Sequence, residues 1–430
     1  MQDTVERLNI DCLCRSLDVD ALGAAFAREI GDDHFAAELA RTHPGLVSRL
    51  PVFISTHHAA HMRNIITAIE GVTRLPAFRD AVLAYAPQIA GFDPGPIGVF
   101  MGYDFHLGPD GPQLIEINTN AGGALLNAYL AQAQRACCKE VEVLYPISSS
   151  LEQMSARFIE SFQSEFRRQG PARPLARIAI VDDQPEAQFL YPEFRLFQRL
   201  FERHGIAAVI ADAGALQWRD GALWHDGQPI DLIYNRLTDF AFTEDRHRDV
   251  RAAYLAGAVA VTPNPRAHAL FADKRNLIAM TDPAVLASWG VAEPVIALLH
   301  QGIAKTEPVT AARADALWSG RSRLFFKPAR GYGSKAAYRG DKLTKRVWTD
   351  ILAGDYIAQA LVQPSGRGVS VDGTRQLMKV DIRNYSYDGA VQLLAARLYQ
   401  GQTTNMRTPG GGFAPVFVGD IAADLACACV

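Results

Sequence analysis

Asp104, Glu116 and Asn118 are the residues whose types and spacing most directly suggest chemistry. They lie in the stretch GYDFHLGPDGPQLIEINTNAGG at 102–123, where two runs alternating apolar and polar residues, 99–107 and 113–118, flank Gly108-Pro109-Asp110-Gly111. That pattern predicts a β-hairpin. A hairpin symmetric about Asp110 sets Asp104 opposite Glu116, and strand alternation puts Asn118 on the face of Glu116. Two facing carboxylates repel each other in a plain sheet. A divalent cation between them removes the conflict, because hard cations take carboxylate and amide oxygens. A solvated hairpin face has the same pattern, so the rest of the chain must be asked for a ligand that brings such a metal.

The stretch SRLFFKPARGYGSKAAYRG supplies a candidate. A strand ending at Phe325-Phe326 brings Lys327 to the start of a glycine loop with Gly331, Gly333 and Gly340, and with Arg330 and Lys335. Backbone N–H donors and cationic heads in one flexible loop suit phosphates. No G-x-x-x-x-G-K-[ST] occurs in the chain, so this is not a P-loop. Further on, alternation in QLMKVDIRNYSY puts Lys379, Asp381, Arg383 and Tyr385 on one face, as in the lining of a polar cleft. Arg397 ends the next strand, and Asn405, Arg407 and Gly410 to Gly412 read as a mobile loop.

Several elements must position these groups. Val19, Leu22, Phe26 and Ile30 recur at helical spacing within 18–50, and 51–73 reads as a second helix. That helix carries His57 and His61 one turn apart, without the glutamate of an H-E-x-x-H motif. Helices are also expected at 124–143 and 151–168, and Gln169-Gly170-Pro171 begins a linker. Beyond it, strands at 176–181, 207–210 and 232–235 alternate with helices at 193–204 and 243–256. This predicts a parallel α/β unit that binds at the carboxyl ends of its strands, where Asp182, Asp183, Asn235 and Arg236 fall. A helix is then expected to carry Asp273, Lys274 and Arg275, and 356–362 reads as a strand.

The chain's 430 residues are enough for two or three domains. Its 43 basic and 46 acidic side chains give no positive excess, which argues against nucleic-acid or membrane-surface partners. No apolar run reaches the ~20 residues of a membrane helix, and MQDTVERLNIDCLC lacks a basic-then-apolar leader. Six cysteines in three close pairs, Cys12/Cys14, Cys137/Cys138 and Cys427/Cys429, show no zinc-finger spacing and predict free thiols in the cytoplasm. A homodimer is compatible with this composition.

With these pieces named, the chain resembles the ATP-grasp superfamily, whose members join a carboxylic acid to an amine through an acyl phosphate. LIEINTNAGG resembles the I-E-I-N-T metal strand of eukaryotic-type glutathione synthetase and its bacterial relatives, and DLIYNRLTDF resembles its Tyr-x-Arg segment. FADKRNL, FFKPARGYGS and YIAQALVQP resemble the first ATP lysine region, the start of the glycine loop and the adenine hinge. The metal strand precedes the lysine strand here, as in the circularly permuted branch.

The resemblance implies an α/β (α+β) ATP-grasp fold in permuted order with an inserted parallel α/β substrate-binding domain. It divides the chain into 1–170, helical with the metal hairpin; 175–265, the inserted domain; and 266–430, the lysine strand, glycine loop and lid. The metal hairpin of tubulin tyrosine ligase-like enzymes, where an aspartate joins Glu-x-Asn, extends the likeness. Asp104, Glu116 and Asn118 are then the implied Mg²⁺ ligands.

Lys274 and Lys327 are the implied ATP phosphate contacts, with Gly331, Gly333 and Ser334 in the loop and Asn405 in the lid. Gln359, Ala360 and Val362 would hold adenine, Arg397 the transferring phosphoryl group, and Arg236 and Arg383 a substrate carboxylate. The cofactors implied are ATP and Mg²⁺, and the partners small carboxylate and amine substrates.

The chain also departs from the family. Gly331 stands where that family has a metal-binding glutamate, leaving Asp104 and Asp381 as candidates for its place, and Gly102 stands where it has an arginine for the γ-glutamyl substrate. An ATP-grasp kinase and a non-catalytic nucleotide or peptide binder are the alternatives that the residues leave open.

Overall fold

The alternating stretch folds into a hairpin of strands Met101–Gly108 and Gly111–Asn118, joined through Pro109 and Asp110, with Gly111 at φ +98°. Its register differs from a symmetric one. Gly108 pairs with Gly111 and Phe105 with Leu114, and then a β-bulge at Ile115 shifts the count so that Asp104 faces Glu116. In an unshifted register Glu116 would face Tyr103, whose ring is buried in the core and bonds Glu70. The bulge therefore keeps both carboxylates on one side.

The structure, a computed structural model, describes residues 2–12, 17–135, 150–331, 336–404 and 408–420. Among these residues the hairpin lies at one edge of a seven-stranded sheet. Thr374–Tyr387 pairs antiparallel with Met101–Gly108, Ala390–Tyr399 and Ser365–Val371. Gly412–Val418 follows, and Val52–Ile54 closes the sheet by parallel pairing with it. Val52–Ile54 was expected to be helical; it is a buried strand, and the helix begins at Thr56 with Ser55 as its cap.

The parallel unit has strand order Ala260–Thr262, Leu232–Asn235, Arg177–Asp182, Ala207–Asp212. Helices Tyr191–Arg203 and Arg248–Leu255 pack on it, and residues 217–230 form a separate three-stranded antiparallel sheet. Another antiparallel sheet orders Thr306–Pro308, Tyr356–Ala360, Leu324–Pro328 and Tyr338–Arg339. Buried aromatic rings of Phe100, Phe158, Phe162, Phe197 and Tyr234 join the parallel unit to helix Leu151–Gln169.

Three further expectations need correction. Lys274 is not on a helix but in the turn between Pro265–Phe271 and Asn276–Met280, where its N–H donates to the Ala329 carbonyl. Gly412 does not belong to a mobile loop: at φ +103° it begins a strand, and a Cβ there would lie 2.4 Å from the Gly45 carbonyl oxygen. Gly340 is likewise a packing glycine, since its Cβ would come 1.9 Å from the Arg321 carbonyl oxygen.

Glu193 ties the parallel unit to the hairpin. Its buried carboxylate accepts from the N–H groups of Gly123 at 2.7 Å and Leu125 at 3.0 Å, at the start of helix Ala124–Gln132. Replacing Glu193 with Ala is expected to lower stability by about 2 kcal/mol, measured by urea denaturation. No helix among the described residues is long and apolar enough to cross a membrane.

Candidate active site

Asp104 is fully buried and stands across the sheet from Arg383. Arg383 donates from Nε to Oδ1 and from Nη2 to Oδ2, both at 2.7 Å. Arg397 Nη2 and Asn118 Nδ2 donate to Oδ2 at 2.8 Å and 2.9 Å. Asp381, also fully buried, accepts from Arg397 Nε at 2.6 Å and Thr404 Oγ1 at 2.7 Å. The polar face expected on Thr374–Tyr387 thus meets the hairpin, and Tyr385 adds a 2.7 Å hydrogen bond to the Gly122 carbonyl.

The lysines converge beside this network. Lys274 Nζ lies 3.1 Å from Glu116 Oε1 and donates to the Gly331 carbonyl at 2.8 Å. Lys327 Nζ donates to Gln359 Oε1 at 2.8 Å and to the carbonyl of the bulged Ile115 at 2.9 Å. Gln359 is fixed in turn by donating to Thr306 Oγ1 at 3.2 Å. Antiparallel pairing places Lys327 and Gln359 on adjacent strands.

These groups open onto a cleft lined by Glu116, Lys274, Lys327, Gly331, Gln359, Ala360 and Val362, with Phe325 and Leu361 as apolar wall. Gly333, Ser334 and Asn405 lie outside the described residues. The structure brings the other expected cofactor-binding residues together.

Burial opposes ionisation of Glu116, but Lys274, Lys327 and Arg397 outweigh it and hold the carboxyl down at about 2. Burial, with Lys274 alongside, brings the Lys327 ammonium down to about 8 despite the attraction of Glu116. The floor of the cleft is therefore rich in cationic groups, a suitable setting for a polyanion.

Arg236 is placed apart, at the carboxyl end of the parallel sheet. It is buried against Tyr234 and Phe194, and its Nε has no hydrogen-bond partner among the described residues. A Cβ at Gly122 would lie 2.9 Å from its Nη2. The neighbouring residues differ. Asn235 is satisfied within its loop by the Pro263 carbonyl and the Leu237 N–H. Asp183 lies 3.0 Å from His247 Nε2, while His247 Nδ1 lies 2.8 Å from Asp239. Burial pushes Asp182 up to about 6.

No protein-family model and no curated protein sequence matches the chain. Among solved structures, a glutathione synthetase-like effector, GSS30 from Globodera pallida, superposes with TM-score 0.58 at 12% identity, over 93% of this chain and 98% of that one. The chain has a glutathione synthetase-like fold. A candidate gamma-glutamylcysteine synthetase from Methylobacillus flagellatus reaches TM-score 0.45 at 10% identity, over 84% of this chain and 87% of that one. The ATP-grasp ligase PsnB gives TM-score 0.27 at 13% identity, over 56% of this chain and 88% of that one.

Within this glutathione synthetase-like fold, two cleft residues were not anticipated. His106 Nδ1 lies 2.9 Å from the Val362 carbonyl, and Nε2 lies 3.3 Å from Tyr399 Oη. Both line the cleft, and burial lowers the His106 pKa, so the ring is neutral. The two-residue strand period points to both, since His106 follows Asp104 and Tyr399 follows Arg397 on one face. His268 carries no such signal. Its ring stacks on Phe240 with centroids 3.6 Å apart, and Nδ1 lies 3.0 Å from Thr119 Oγ1, next to Asn118.

Proposed function

We propose that the protein is an ATP-dependent carboxylate–amine ligase acting on a small amino acid or peptide. The observation that carries this reading is the convergence of Lys274, Lys327 and Glu116 on one cleft that Gln359 to Val362 also line. The apolar wall suits a base and the cationic floor suits phosphates. Glu116 and Asn118 offer the hard oxygen donors that Mg²⁺ takes. Mg²⁺, when bound, supplies charge neutralisation along the phosphates.

Lys274 and Lys327 hold phosphate oxygens as positioned charges, and Arg397 lies between Asp104 and Asp381 to meet charge on the transferring group. A substrate carboxylate docks against a guanidinium, that of the incompletely bonded Arg236 or the edge of Arg383 that Asp104 leaves open. It accepts the phosphoryl group, and an amine displaces phosphate from the acyl phosphate. The parallel unit, 175–265, presents the substrate. The hairpin of 1–170 and the elements of 266–430, in permuted order, hold ATP.

The test is a panel of amino acids and short peptides assayed for Mg²⁺-dependent ADP release, with products weighed by mass spectrometry. The expected product is an amide that has lost water relative to its two substrates. A product that keeps the phosphate indicates a kinase. ATP binding without turnover on any pair indicates a non-catalytic binder.

A further inference from the structure

Asp104, fully buried, is committed to protein donors. Of the about four hydrogen bonds a carboxylate accepts, Oδ2 takes three, from Arg383, Arg397 and Asn118, and Oδ1 takes one, from Arg383. A cation bound at Oδ2 would displace Arg383, Arg397 or Asn118 from its partner, and one bound at Oδ1 would sit beside the Arg383 guanidinium. Both outcomes are unfavourable, because a buried charge stripped of its partner is strongly destabilising.

Asn118 gives the complementary half. A carboxylate cannot donate, so the side-chain amide must turn Nδ2 toward Asp104. Its Oδ1 then points away from Asp104 and accepts no hydrogen bond among the described residues. Strand alternation keeps that oxygen on the face of Glu116. Mg²⁺ in nucleotide sites is held by one or two protein ligands, with phosphates and waters completing its octahedron. Glu116 and Asn118 meet that requirement without a third residue.

We propose that Asp104 is a positioning residue and not a metal ligand: it turns Asn118 Oδ1 toward the metal and holds Arg383 and Arg397 against the hairpin. The proposal rests on reading the cleft as a Mg·ATP site. Asp104 thereby links the metal's protein ligands to the two arginines, and through Arg397 and Asp381 to Thr404.

Calorimetry of the full chain with Mn²⁺ and AMPPNP comes first. No Mn²⁺-dependent nucleotide binding overturns the reading of the cleft, and this inference with it. With binding in hand, a crystal structure of that complex should show an anomalous manganese peak on Glu116 and Asn118 Oδ1, with Asp104 still on its arginines. Manganese bonded to Asp104 overturns this inference alone.

Variants give an independent readout. Asp104→Asn should weaken Mn²⁺ binding, followed by electron paramagnetic resonance, by roughly tenfold to a hundredfold, as loss of a supporting hydrogen-bond partner does. Adding Arg383→Gln rebalances the buried charge. The double variant should regain thermal stability and come within about tenfold of wild-type Mn²⁺ affinity. Recovered stability with affinity still at the Asp104→Asn level or worse overturns the proposal. Should neither variant fold, the wild-type complex decides.

Discussion

Replacing Glu116 with Gln is expected to reduce Mg²⁺-dependent ADP release by about a thousandfold, the scale of losing one preorganised group that stabilises charge in a transition state. The isosteric amide keeps the shape of the hairpin but removes the negative charge facing Lys274 and Lys327. Stability carries a second signature. The folded-state pKa of Glu116, about 2, lies below the ordinary carboxylate value, so its contribution is complete above pH ~4.5 and is lost as pH falls toward 2. The variant lacks that contribution at every pH. Between pH 4.5 and 2, wild type should therefore lose more stability than Glu116→Gln in urea titrations. Wild-type turnover in the variant would remove the hairpin from the mechanism.

Lys327 is expected to make nucleotide affinity fall as pH rises above about 8, where the ammonium of the ligand-free protein begins to deprotonate. Phosphate anions beside the amine favour its charged form, so binding at pH 8.5 takes up a proton. Calorimetry in buffers of different ionisation enthalpy should detect uptake of up to roughly three-quarters of a proton. Lys327→Met should abolish the uptake and weaken ATP binding by roughly thirty- to a hundredfold, the equivalent of about 2–3 kcal/mol for a charged hydrogen bond. An affinity independent of pH between 7 and 9.5 would show that this lysine does not meet the nucleotide.

What the sequence made legible was local. Alternation around Gly108-Pro109-Asp110-Gly111 marked the hairpin, and strand-helix alternation after Gly170 marked the parallel unit, because each pattern is written in consecutive residues. Val52–Ile54 escaped because three buried residues before a long helix lack a period of their own, and their partner strand lies near the other end of the chain. The glycines at 340 and 412 were read for flexibility, while their reason is the close approach of distant carbonyl groups. The pairing of Asp104 with Arg383 and Arg397 is of the same kind, set by neighbouring strands far apart in sequence.

The bulge at Ile115 can be described as a correction of parity. A two-residue turn fixes which positions are odd and which even across the pair, and by that count Glu116 would belong to the wrong set. The one-residue shift in pairing at Ile115 restores the match. Deleting Ile115 outright would also leave Glu116 opposite Asp104, since the next residue after Leu114 would then be the glutamate. Parity alone therefore does not explain why the insertion is retained. What a deletion would remove is the carbonyl that meets Lys327, so the surplus residue ties the hairpin to the lysine strand and sets the distance between the acidic and basic halves of the cleft.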